Sequence, residues 1–324
     1  MKREHNEKAS YFGASLLLQL FLHCARSAIL NLLASPLKAP PLSYLYGVIT
    51  LLLTALVFLL PVYLYLKLSG TKITALYYPI NKHETGEKRK DIKKGIAALQ
   101  FIFAAAITLN AVNLAGMATD AVCRAANIPL TRSSLPDGIG LQIISFISAV
   151  IFAPILEELL FRGVALNALS QSKLKSIPTV GALFALMHYS SQTLLYAFCA
   201  GCIIAYFALK TNHLLVAVGL HLVNNLVTFI SLLLSTYAGD EASKLFGYIM
   251  LAVTLPIAII GIILLIRDHI LSYKSALGHK TDNENANYPT APHDTHEEKS
   301  SPPLPFSREI LLYAVLAALL CLWG

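Results

Sequence analysis

Apolar runs long enough to cross a bilayer follow one another along most of the chain, separated by short polar stretches that collect the charges. A membrane helix needs about 20 such residues, and the pattern predicts spans over 43–66, 95–116, 140–169, 178–189, 191–209, 213–235 and 246–266. Two weaker segments lie at the ends. Residues 10–34 are interrupted by His23 and Arg26, so they read either as a span or as an interfacial amphipathic helix. Residues 310–324 are short for a full crossing and read as a tilted anchor or a truncated helix. The expected fold is all-α, a polytopic membrane bundle of about 8 to 9 helices.

The polar stretches orient these spans. Residues 43–66 carry tyrosines at both ends, as an aromatic belt requires, and Pro61 is an expected kink. The loop from Lys67 to Lys94 holds the densest basic cluster, Lys82, Lys88, Arg89, Lys90 and Lys93 among it, which predicts a cytoplasmic face. Counting crossings from there places Lys173, Lys175, Lys210 and Arg267 inside as well, and an outer loop at Asp240, Glu241 and Lys244. From Lys274 to Ser307 the chain turns polar and proline-rich, a composition that cannot bury enough surface to fold. The expected organisation is thus N-terminal membrane helices over 1–139, a membrane core over 140–266, a disordered cytoplasmic linker over 267–308 and a C-terminal apolar segment over 309–324.

Composition agrees with this pattern and removes one class of partner. At 56% hydrophobic and 13% charged residues, with a mean hydropathy of +0.62, the chain lies outside the range of soluble domains. A net charge of +7 would suit nucleic acid, but the basic residues sit beside apolar runs as positive-inside topology predicts. The expected partners are therefore the lipid bilayer and a membrane-embedded or membrane-associated protein, with no nucleic acid, in a multi-pass protein of the cell membrane. Cys24, Cys123, Cys199, Cys202 and Cys321 lie mostly in apolar segments, where a thiol behaves as a small hydrophobe.

Chemistry concentrates at Ala153–Gly163, APILEELLFRG, which carries Glu157, Glu158 and Arg162 inside a spanning pattern. Charges at membrane depth cost about 2.5 to 3.5 kcal/mol each on insertion scales and persist where they pair, face a polar cavity or react. On a helix Glu158 and Arg162 stand one turn apart and can pair, while Glu157 is rotated about 100° away. Polar residues recur at helical spacing in FALMH, Phe184 to His188, and in HLVNN, His221 to Asn225. Counted along helices, Glu157 lies about 18 Å, His188 about 15 Å and His221 about 12 Å from their segment ends. Singly, each histidine is a packing residue and Asn224 and Asn225 are interhelical glue. A Glu, two His and an Asn at matched depth point instead to a shared site. Ala197, Gly201 and Ala205 form a small-residue stripe for close helix packing.

The order Glu157-Glu158-x-x-x-Arg162, Phe184-x-x-x-His188, His221-x-x-x-Asn225 resembles the CPBP family of intramembrane proteases. That family includes the type II CAAX prenyl endopeptidases and the bacteriocin-processing or bacteriocin-immunity proteins, also called the Abi family. The similarity covers roughly 140–235. It implies hydrolysis of a peptide bond in or at the membrane, with the core over 140–266 catalytic. By the same resemblance Glu157 would activate water, His188 would position that water, and His221 and Asn225 would donate to the oxyanion. Glu158 and Arg162 would support the helix. A metalloprotease scheme would use Glu157, His188 and His221 as ligands of Zn²⁺ with an open position for water, while a glutamate-dependent scheme needs no metal; the second is the expectation. The alternatives are a scaffold or bacteriocin self-immunity protein without proteolysis, and a transporter, which the lack of an inverted repeat disfavours.

Overall fold

The computed structural model describes residues 2–37, 42–78, 94–130, 134–169, 173–285 and 307–323, and every regular element among them is helical. Helix α1 spans Lys2–Leu37, α2 Ser43–Ser69, the single turn α3 Ile73–Leu76, and α4 Lys94–Ala125. Helix α5 covers Ile139–Ala168 and α6 Lys173–Leu186. Helices α7 Leu194–Thr211, α8 Leu214–Ala238, α9 Asp240–Asn285 and α10 Arg308–Trp323 complete the chain. Among the described residues 7 helices are long and apolar enough to cross a membrane, namely α1, α2, α4, α5, α7, α8 and α9. The protein is a multi-pass, all-α membrane bundle. Its α6 has 14 residues and its α10 has 16, short of a full crossing.

Local chemistry ends these helices where the chain must turn. Gly70 closes α2 at φ 66°, the left-handed conformation that glycine adopts without a Cβ clash. Asn212 closes α7 at φ 50° and returns its N–H to Ala208 and Leu209, and His213 then caps α8 by accepting the Leu215 N–H on Nδ1 at 3.2 Å.

Several sequence expectations change here. The outer loop at Asp240, Glu241 and Lys244 is absent: Gly239, at φ 87°, alone joins α8 to α9, and Asp240 and Glu241 form the first turn of α9, where acids complement the helix dipole. Residues 267–285 of the linker 267–308 are not disordered but continue α9 to Asn285. An established helix extends at low cost, and the first proline downstream is Pro289. Residues 286–306 lie outside the described residues, as do 79–93 of the basic loop 67–94. Helix α6 starts before Pro178 and stops at Leu186, so His188 lies in the turn beyond it rather than inside a span.

Helix α1 packs along α2, α10 lies on α1, α6 pairs with α7, and α4 lies between α7 and α9. The core joins Phe12 and Leu16 of α1, Val57 and Tyr65 of α2, Leu160 and Phe161 of α5, Phe184 of α6 and Ile204 of α7. Outward faces of α2 and α9 carry exposed Leu52, Leu56, Ile259 and Ile263, as lipid-facing surfaces do. Polar ties cross the bundle where a lone group would otherwise be unsatisfied: Tyr65 donates to Asn167 at 2.9 Å, Tyr237 to Gln142 at 2.7 Å and Asn110 to Thr254 at 2.9 Å.

Candidate active site

Helix α5 is not uniform. Two π-helical turns, Ile147–Phe152 and Leu159–Val164, flank the α-helical Ala153–Glu158. In the first, Ala153 gives its N–H to Ser148, so the carbonyl of Ala149 would take its bond from residue 154. That residue is Pro154, which has no N–H. The vacancy is filled from another helix: Asn225 of α8 donates Nδ2–H to the Ala149 carbonyl at 2.9 Å. Asn225 therefore joins α8 to α5 beside the glutamates, and its second Nδ2 hydrogen is left for another acceptor.

One turn further along, the charges assemble around Glu158. Arg162 and Glu158 form an ion pair of 2.8 Å with both side chains 0% exposed. The same oxygen, Oε1, accepts Nδ1–H of His221 from α8 at 2.8 Å. Arg162 also donates Nη2–H to the Gly201 carbonyl at 3.0 Å and lies 4.4 Å over the ring of Phe184. A buried guanidinium thus has a counter-ion, a carbonyl and an aromatic face, although its Nε has no partner among the described residues. Glu157 is rotated off this pair, and its Oε2 lies 3.9 Å from Nε2 of His221, with the side chain 13% exposed. The two carboxylates face opposite nitrogens of one imidazole, Glu158 bonded to Nδ1 and Glu157 beyond bonding distance of Nε2.

His188 reaches the site by a different route. Its Nδ1–H donates to the Phe184 carbonyl at 2.9 Å, satisfying a carbonyl at the open C-terminal end of α6. Its ring meets Phe184 edge-on with centroids 5.0 Å apart, and the ring of His221 meets the same Phe184 at 5.6 Å. Both histidines thus pack against Phe184. Among the described residues no group of three His, Cys, Asp or Glu side chains is placed to hold a metal ion, so the set Glu157, His188 and His221 does not fit a Zn²⁺ site as arranged here.

Sequence reasoning missed the backbone partners. The small stripe in α7 packs closely, as expected from Gly201: a Cβ there would lie 2.8 Å from the Cα of Gly181. That approach also brings the Gly201 carbonyl within reach of Arg162, and two glycines facing each other on adjacent helices were the available signal. The π turns and the Ala149 carbonyl had only Pro154 to announce them. Cys199 and Cys202 are unbonded thiols.

Residues 139–227 match the family model described as type II CAAX prenyl endopeptidase Rce1-like. The chain carries an Rce1-like domain of the CPBP intramembrane protease family. No curated protein and no solved structure matches the chain. The Rce1-like domain holds Glu157, Glu158, Arg162, His188, His221 and Asn225, and runs from the start of α5 into α8. Helices α1, α2, α4, α9 and α10 lie outside the matched residues, and yet α1 touches the domain immediately after His188: Tyr189 donates its hydroxyl to Gln19 at 2.8 Å.

Proposed function

We propose that the protein is an intramembrane endopeptidase, in which Glu157 activates water to hydrolyse a peptide bond of a membrane-associated substrate. One observation carries the reading: Glu157 Oε2 faces His221 Nε2 across 3.9 Å, too far for a hydrogen bond and within the span of one bridging water. Because Nδ1–H of His221 is committed to Glu158, Nε2 of the neutral ring is an acceptor. A water giving one hydrogen to Nε2 and the other to Glu157 has its lone pairs free to attack. We therefore assign His221 to holding the water rather than to the oxyanion.

The water oxygen bonds to the carbonyl carbon while Glu157 takes its proton. The carbonyl oxygen becomes the oxyanion, for which the uncommitted Nδ2 hydrogen of Asn225 is the donor. The C–N bond then breaks, and the proton on Glu157 passes to the departing nitrogen. His188, with Nδ1 on the Phe184 carbonyl, keeps Nε2 as an alternative to His221 for accepting that hydrogen of the water. No step runs through a metal. The family description points to substrates ending in a prenylated Cys-a-a-X sequence. The basic stretch 67–94 and residues 267–308 would face the cytoplasm, where such tails are presented.

Cleavage of a fluorogenic prenylated peptide in liposomes tests the reading. The parent should cleave it with or without chelator, and Glu157→Gln, still folded, should not. Equal turnover by the two proteins would overturn it in favour of a scaffold, an immunity protein or a transporter.

A further inference from the structure

Helix α1 carries a polar stripe that the hydrolytic machinery does not use. Gln19, His23 and Arg26 follow one another at helical spacing on one face of a helix apolar enough to span the membrane. The stripe lies against the site. Tyr189, the residue after His188, sits at φ 48°, a conformation that a non-glycine residue adopts only when its surroundings hold it there. Gln19 accepts the Tyr189 hydroxyl at 2.8 Å, and the His23 ring lies 4.2 Å from the Tyr189 ring.

Two donors on this stripe have no acceptor. Nε2 of Gln19, a residue 1% exposed, and Nε of half-buried Arg26 are both buried without a hydrogen-bond partner among the described residues. Arg26 donates from Nη1 to the Thr54 hydroxyl at 3.0 Å. No ion pair joins it to a carboxylate of the described residues, whereas Arg162 has Glu158 at 2.8 Å. Thr54 lies 11 residues beyond Ser43, the first residue of α2, or about 16 Å into a helix of about 40 Å. Arg26 is therefore a cation near mid-membrane with no anionic partner among the described residues, and a missing partner of that kind is a mark of function.

We infer that Arg26, flanked by His23 and Tyr189, is the subsite for the carboxylate at the C-terminus of the substrate. The inference rests on the endopeptidase reading and adds to it how the substrate end is selected. A cation without a carboxylate partner among the described residues calls for an anionic acceptor, and a guanidinium matches a carboxylate in planar geometry. Depth selects the source. Lipid phosphates stay at the interface, while a peptide drawn into the site carries its terminal carboxylate with it. A released segment of three residues extends about 10 Å from the bond cut. From the site the way to His23 runs over Phe184, His188 and Tyr189, with the His188 ring 5.0 Å from Phe184 and the His23 ring 4.2 Å from Tyr189.

The test uses the full chain with Glu157→Gln, so that binding is read without turnover. Prenylated peptides of one sequence, ending in a free acid or in an amide, are titrated by fluorescence polarisation. The acid should bind about tenfold or more tightly than the amide, the scale of a charge-assisted hydrogen bond. Adding Arg26→Gln should bring the acid down to the affinity of the amide while the amide stays unchanged, which also reports that the variant is folded; Arg26→Lys should retain part of the preference. Equal binding of acid and amide by the Arg26 protein, a comparison that needs no second variant, would overturn the inference. So would a preference that survives Arg26→Gln. If acid and amide bind alike but phosphatidylglycerol in place of phosphatidylcholine raises the thermal midpoint only when Arg26 is present, the anion is a lipid headgroup and the inference fails. An acid preference lost with Arg26→Gln, together with no cleavage by the parent, would uphold the subsite and defeat the proteolytic reading alone.

Discussion

Arg162 and Arg26 lie well inside spanning helices, unlike Arg124 and Arg267 near span ends, and they are treated in different ways. Arg162 of α5 is fully enclosed and meets a carboxylate, a carbonyl and an aromatic ring. Arg26 of α1 is half-buried and meets a threonine hydroxyl but no carboxylate among the described residues, while Nε is unpartnered in both arginines. A charge whose counter-ion is supplied by the protein holds a structure in place, because removing one member strands the other. A charge whose partner is not supplied holds a position for something that arrives. The first organises the imidazole of His221 through a shared oxygen of Glu158; the second follows, at helical spacing, His23, whose ring packs on Tyr189.

The most damaging change should be chemical. Glu157→Gln keeps the shape and removes the base, so peptide cleavage should fall by about 10² to 10⁴, measured in liposomes, with an unchanged melting profile; a variant that melts early would place Glu157 with the structural charges. Next comes the enclosed pair. Arg162→Ala leaves Glu158 buried without its cation, and the loss of stability should be about 3 to 5 kcal/mol, whereas Arg26→Ala strands no partner and should melt at or above the parent. Thermal melts of both variants in one detergent decide this, and equal losses would erase the contrast.

Smaller effects refine the contrast. Asn225→Ala removes one oxyanion donor, worth about 10² to 10³ in rate, and also uncovers the Ala149 carbonyl. Residual cleavage should therefore come with a slight drop in melting temperature, and a rate loss without any drop would mean that the Ala149 bond contributes nothing. Gly201→Ala puts a methyl 2.8 Å from the Gly181 backbone. Overpacking of this kind costs about 1 to 3 kcal/mol, and here it should also lower activity by moving the carbonyl that Arg162 holds. An unaltered melt would show that α6 and α7 can part without cost.

The path of the chain through the membrane was readable because apolar length is a local property. Residues 43–66, 191–209 and 213–235 appear as α2, α7 and α8 with modest changes at the ends. The short α6 was misread at both ends: composition places apolar residues up to His188, but the helix stops at Leu186, where Tyr189 takes a left-handed conformation and His188 turns back to the Phe184 carbonyl. The polar run after Arg267 was misread for the opposite reason, since an existing helix carries weak helix formers with it.

Hydrophobic length by itself determined that this protein is an all-α membrane bundle, and helical spacing marked Glu157, Glu158, Arg162, His188, His221 and Asn225 as residues out of place in lipid. Which nitrogen meets which carboxylate was decided only by the tertiary structure. Glu158 is 63 residues from the imidazole it orients, Arg162 is 39 residues from the carbonyl it holds, and Tyr189 is 170 residues from Gln19. Periodicity reports the neighbours of a residue along one helix. Partners on other helices are set by how the helices pack, by a Gly–Gly approach and by a π turn at a proline, and no local pattern in the chain encodes those distances.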